Sequence, residues 1–271
     1  MDDSDKVAGR GSAEGEGRAA RRDDARRPLP EVRVVGTFAP LGWLARGWDD
    51  FRVSWKASAF YGVVFAVMGW LVAIVFRHAH EYVWGLTTGF LLVGPFLAIG
   101  LYELSRRRER GEPPWLAPTL DAWRANVGSI GIFALVLGVL LLVWSRASLV
   151  VIAVSFPDEM PSLERFLANV GSLANVEFLL AYFAVGGFFA ALVFAISVVS
   201  VPMMLDRDTD GIAAALTSLR ACRENLGAMV VWGALIALVV GAGFALWFAG
   251  LVVAVPVIGH ATWHAYKALV V

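Results

Sequence analysis

Cysteine is nearly missing from this 271-residue chain. Cys222 stands alone, so no intrachain disulfide can form, and a cysteine-based structural zinc finger lacks its ligands. Histidine is scarce, at four residues, which leaves little for haem or multi-histidine metal chemistry. Charge is thin as well: 17% of residues are Asp, Glu, Lys or Arg, against about a quarter in soluble domains. Formal net charge is zero, so nothing points to nucleic acid as a partner. Residues 1–35 hold mixed charges and glycine without an apolar h-region. They read as a disordered cytoplasmic tail rather than a secretory signal. Its glycines, Gly9 to Gly17, follow no strand and make no phosphate loop.

What is abundant is apolar sequence: 58% of residues are hydrophobic and the mean hydropathy is +0.67. These residues are gathered into long uncharged runs. A helix rises about 1.5 Å per residue, so about 20 apolar residues cross a hydrocarbon core about 30 Å thick. On that basis residues 36–271 form a membrane domain of six spans, at about 57–76, 82–104, 126–154, 176–205, 226–247 and 250–267. The last two come from one uncharged run too long for a single crossing, with the join expected near Ala249–Gly250.

Basic residues orient this layout. With the N-terminus inside, all but three of the 23 Lys and Arg (Arg77, Arg146 and Arg165) fall on the cytoplasmic side. Both termini are therefore expected in the cytoplasm. Tryptophans gather near the expected span ends, with Trp43, Trp48, Trp55, Trp115 and Trp123 inside and Trp84, Trp144 and Trp247 outside.

A threefold internal repeat organises the spans. WLARGWDDFRVSWK from Trp43, WLAPTLDAWRANVG from Trp115 and AALTSLRACRENLG from Ala214 precede the odd-numbered spans. In register, Arg52, Arg124 and Arg223 coincide, as do Trp48, Leu120 and Leu219, and Trp55, Val127 and Leu226. Phe51, Trp123 and Cys222 complete a helical face, with Arg and Asp on the other. Each segment reads as a short amphipathic helix at the inner interface; the plainer alternative is a cytoplasmic helix packed on the bundle. Each even-numbered span carries a proline, Pro95, Pro202 or Pro256, which kinks a helix by freeing a carbonyl. The expected fold class is thus all-α: a polytopic membrane protein with three tandem units of interfacial helix plus helical hairpin. Gly85 and Gly89, together with Gly186, Gly187, Gly241 and Gly243, are candidates for close helix contact.

Ionisable groups inside membranes mark function, and these spans are almost free of them. Polar side chains collect at the inner ends of the prolyl spans: Glu103, Asp206, Asp208, His260 and His264. His260 and His264 share a helix face at i, i+4 spacing. That pair can hold a metal with Glu103 or Asp206 as a third ligand, or serve as a proton relay. The plain alternative is a pair of histidines hydrogen-bonded to headgroups, water or backbone. No HExxH motif or Ser-His-Asp arrangement is evident in the sequence, and no enzyme activity is expected. No cofactor is expected beyond that possible metal. The expected partners are the lipid bilayer and possible further membrane subunits. A structural, assembly or lipid-organising role leads. A small-solute or ion transporter with an inner polar mouth is the alternative, and a metal- or haem-binding redox protein comes third.

The segments GWLARGWDDF, GPFLAIGLYELSRRRERGEPP, SVVSVPMMLDRDTD, TSLRA and GHATWHAY resemble a family of bacterial integral membrane proteins catalogued as domain of unknown function 2189. The resemblance runs from about Gly36 to Val271. It implies a multi-span protein of the bacterial inner membrane and no particular activity. Some similar proteins carry a cytochrome c oxidase label, which the histidine count opposes.

Overall fold

The computed structural model describes residues 29–78, 83–156, 175–207 and 209–271, with side chains throughout these except at 76–78, 83–93 and 95. Val32–Val271 form one compact unit, and of the residues before it only 29–31 are described. The helices of the larger unit are α1 (Ala39–Val53), α2 (Trp55–His78), α3 (Val83–Glu109), α4 (Leu116–Thr119), α5 (Val127–Ser155), α6 (Val176–Ser197), α7 (Ser200–Asp206), α8 (Gly211–Glu224), α9 (Leu226–Ala245) and α10 (Leu251–Leu269). A 3-10 turn, Ala122–Asn126, joins α4 to α5.

Local chemistry sets many of the boundaries. Pro40 sits in the first turn of α1, where its missing N–H costs nothing. α3 ends in a Schellman closure, with Gly111 at φ +72°, Glu112 N bonded to Arg107 O and Gly111 N to Arg108 O. Asp210 caps α8 by accepting from Ile212 N and Ala213 N, and Asn126 and Asn175 cap α5 and α6.

Among the described residues, four segments are long and apolar enough to cross a membrane: Trp55–Val75, Leu116–Ser155, Val176–Asp206 and Leu226–Ala245. In the first, second and fourth, only 22%, 17% and 22% of the most apolar window is buried within the protein. Helices of this composition in a soluble fold would bury those faces; here Ile132, Leu135, Leu180, Phe183, Phe188 and Leu238 are open. Hydrocarbon is the surrounding that such faces require.

The expected sixth span, 250–267, is not among the four. It falls in α10, whose His260, Thr262, His264 and Lys267 dilute its hydropathy. α10 is enclosed by its neighbours and packs on α1, α2, α3 and α9, so it carries polar side chains that meet protein rather than lipid. The expected second span, 82–104, coincides with α3, but most of its apolar side chains lie outside the described set. The span expected at 176–205 coincides with the segment Val176–Asp206, but its helix is interrupted. It breaks after Ser197, and Pro202 falls in the first turn of α7, where its ring is tolerated. The join expected at Ala249–Gly250 is a tight turn from Leu246 to Gly250. Trp247 and Phe248 there hold positive φ values of 53° and 65°, a conformation costly for residues with a Cβ.

Close approach to α10 runs through two glycines beyond those expected. A Cβ on Gly47 of α1 would stand 2.7 Å from Val257 O and 2.6 Å from Ala261 N. A Cβ on Gly62 of α2 would stand 2.2 Å from Val252 O, the carbonyl that Pro256 deprives of its helical donor. Gly243 does pack tightly, against Leu251 and Ala254, whereas Gly187 and Gly241 face open space and Gly186 meets only Trp144 at 3.8 Å. Gly85 and Gly89 lie outside the described side chains.

The folded unit begins before the expected boundary at residue 36. Val32 pairs with Val270 in an isolated antiparallel bridge, and Arg33 N bonds to Leu269 O at 2.8 Å. Asn225 clamps the same segment, accepting from Val35 N at 2.7 Å and donating to Arg33 O at 3.1 Å. Trp43, expected near the headgroups, is instead buried edge-on against Trp232, with ring centroids 5.9 Å apart.

Candidate functional site: a buried aspartate and two histidines

α1 carries two stripes. Trp48, and Trp55 just beyond the end of α1, are exposed, whereas Pro40, Trp43, Gly47 and Asp50 turn inward against α9 and α10. Gly47 brings the two backbones together, and one turn later Asp50 meets α10 and α3. Asp50 was expected on the polar, outward face; it is 4% exposed. The outward assignment fails because the inward stripe repeats at 3 and 4 residues just as the aromatic one does.

Both carboxylate oxygens of Asp50 are occupied. Oδ1 pairs with Arg108 Nη1. Oδ2 accepts from Ser105 Oγ at 2.6 Å and from His264 Nε2 at 2.9 Å. Burial works to raise this carboxyl, but the hydrogen bonds from His264 and Ser105 and the nearby imidazoles outweigh it and hold its pKa below the ordinary 3.8.

His260, one turn deeper, is fully buried between two serines, with Nδ1 2.8 Å from Ser105 Oγ and Nε2 2.8 Å from Ser58 Oγ. Proton inventory orders these contacts. Ser105 spends its hydroxyl hydrogen on Asp50, so His260 Nδ1–H donates to Ser105 and Nε2 accepts from Ser58. Ser54 donates to Asp50 O at 2.7 Å and lies 2.9 Å from Ser58 Oγ. The result is a continuous chain, Ser58, His260, Ser105, Asp50 and His264, in which every partner is internal.

The other expected residues lie elsewhere. Glu103 is buried beside Arg106 Nη2 at 2.7 Å, and Arg106 also donates to Leu205 O at 2.8 Å. Asp206 accepts from Tyr266 Oη at 2.8 Å and from Lys267 Nζ at 3.3 Å, while Arg207 donates to Tyr266 Oη and Val271 O. Asp208 lies outside the described residues. The ends of α3, α7 and α10 thus meet, but in two pairings separate from the Asp50 cluster. Among the described residues no three His, Cys, Asp or Glu side chains are grouped to hold a metal.

Serine, histidine and aspartate do assemble here, although no sequence motif announces it. The arrangement is not that of a hydrolase: Ser58 and His260 are both fully buried, so no substrate carbonyl reaches the hydroxyl. Sequence reading missed Asp50, Ser54, Ser58, Ser105 and Arg108. The available signal was the run of inward positions 43, 47, 50, 54, 58 and 61, which keeps helical spacing across the α1–α2 junction.

Long lipid-facing helices around an enclosed polar helix define an integral membrane protein. Residues 83–206 match the family described as predicted integral membrane protein (DUF2189). The family is the one that the sequence segments resemble, and its match covers α3 to α7. Asp50, Ser58, His260 and His264 lie outside it, whereas Ser105 and Arg108 lie within. No curated protein and no solved structure matches the chain.

Proposed function

We propose that the protein is a structural, lipid-organising component of the bacterial inner membrane. It crosses the bilayer six times as three tandem units of interfacial helix and hairpin, with both termini in the cytoplasm. One observation carries this reading. At matched positions of the three segments, Trp48, Leu120 and Leu219 are all exposed, and so are Trp55, Val127 and Leu226. The matched cations Arg52, Arg124 and Arg223 are exposed beside them. Large apolar groups beside exposed guanidinium groups suit the boundary between acyl chains and anionic headgroups, although Arg124 also pairs with Asp121 at 3.3 Å. The residues that follow these cations by two positions, Ser54, Asn126 and Asn225, each donate a side-chain hydrogen bond to a backbone carbonyl, of Asp50, Thr209 and Arg33.

The test is energy transfer from tryptophan to dansyl-labelled lipid in reconstituted vesicles. Transfer to labelled phosphatidylglycerol should exceed that to labelled phosphatidylcholine. The triple variant Arg52→Gln, Arg124→Gln and Arg223→Gln should abolish the difference. Equal transfer to both lipids by the unaltered protein contradicts the reading.

A second reading, a small-solute transporter or channel, is favoured by the break between α6 and α7 beside a cavity of about 240 Å³ that Tyr102, Ser197 and Thr262 help to line. Transporters use such breaks to present free backbone to substrates. Here those groups find internal partners: Ser218 bonds to both Ala195 O and Val199 N, and Ser200 donates to Ile196 O. A solute that raises the unfolding temperature would favour transport over the structural role.

A further inference from the structure

Two segments long enough to cross a membrane, Trp55–Val75 and Leu116–Ser155, begin near one another. Between their beginnings lies a pocket of about 470 Å³, walled by Val53 and Trp55 on one side and by Pro114, Trp115 and Leu116 on the other. Trp55 and Trp115 are exposed although both belong to this wall. Lys56 also lines it, its ammonium 5.7 Å from the Trp55 ring centroid. Among the described residues Lys56 has no carboxylate partner. The far wall is held in place from α3, where Arg107 donates to Pro113 O at 3.1 Å and pairs with Glu112 at 2.9 Å.

We propose that this pocket is a binding site for one anionic phospholipid, with its phosphate on Lys56 and its glycerol region between Trp55 and Trp115. The inference rests on the lipid-facing reading and narrows it to one site. The chemistry of the walls selects the occupant. An uncompensated ammonium attracts a phosphodiester, and indole rings favour the layer where apolar chain meets polar headgroup. The pocket opens at the start of α2, a membrane-length apolar helix along which acyl chains leaving it can run. A soluble anion gains nothing from the tryptophans, and a zwitterionic lipid brings its own cation to compete with Lys56.

Native mass spectrometry of the full chain, released from vesicles of phosphatidylcholine and phosphatidylglycerol, tests this. The unaltered protein should retain one phosphatidylglycerol. Lys56→Gln should lower that retention about fivefold, as expected for loss of one interfacial cation. Lys56→Arg should keep it, and Trp115→Ala should lower it without altering the unfolding temperature. Equal retention of both lipids, unchanged retention in Lys56→Gln, or a dimer free of lipid would overturn the proposal. Should Lys56→Gln have no effect while the triple arginine variant still loses its preference for anionic lipid, the pocket fails and the rim reading stands.

Discussion

Asp50 of α1 and His264 of α10 meet at 2.9 Å across 214 positions of sequence. The contact fastens a surface helix to the enclosed helix of the bundle, and Arg108 of α3 completes the clasp from the other carboxylate oxygen. Removing the carboxylate strips partners from Ser105, His264 and Arg108 together.

Asp50→Ala should therefore destabilise the protein by about 3 kcal/mol, the lower end for breaking a buried pair, because Arg108 reaches solvent. Cys222 provides the readout. It is the only thiol, it is buried, and burial pushes its pKa up to about 11, so it stays inert until the fold opens. A fluorogenic maleimide should report a lower unfolding temperature for Asp50→Ala and no change for Asp49→Ala, whose side chain is exposed.

The clasp also sets an acid limit. The folded Asp50 carboxyl titrates below its unfolded value of about 3.8, so the unfolded chain binds the proton first as pH falls. The stabilisation is complete at neutral pH and is lost below about 4, as pH drops through the folded value. Asp50→Asn should flatten this acid limb relative to the unaltered protein. Matching acid limbs in the two proteins, measured by unfolding temperature against pH, would show that Asp50 does not supply it.

His260 sits where each ring nitrogen already has a serine. His260→Ala opens a cavity and leaves Ser58 and Ser105 short of partners, at a cost of about 2–5 kcal/mol. The effect should appear as instability and not as loss of bound metal. Elemental analysis of purified protein decides between these: metal retained at one equivalent and lost in the double variant His260→Ala, His264→Ala would support the redox alternative instead.

Glycine contacts on α10 give a third kind of test. Gly62→Ala forces a methyl group onto Val252 O, a backbone atom that cannot turn away, so about 1–3 kcal/mol of stability should be lost. Gly241→Ala, which meets nothing within 4 Å, should be neutral or slightly stabilising. Equal unfolding temperatures for the two variants would contradict the packing described around α10.

The lipid-facing helices were legible because bilayer thickness imposes a length and apolarity that any single segment displays. α2, α5 and α9 accordingly fall close to their expected bounds. α10 reads less clearly, since a helix enclosed by protein obeys no such rule and tolerates His260 and His264. Asp50 was hidden for a related reason. Its helix carries two periodic stripes, and only the partner helix decides which one turns inward. Glu103 lies beside Arg106 at i+3, and Asp206 is bonded by Lys267 and Tyr266, so neither reaches the Asp50 cluster. Helix ends that lie close together do not by that alone bring particular side chains into contact.

Sidedness tests the membrane layout most directly. In a Cys222→Ser background, single cysteines at Arg165→Cys and Arg223→Cys can be challenged in intact cells with a membrane-impermeant maleimide. The layout predicts labelling at 165 and protection at 223 until the cells are lysed. Labelling of both positions from outside would place the arginine-bearing helices and the intervening loop on the same face, and the six-crossing arrangement would be wrong.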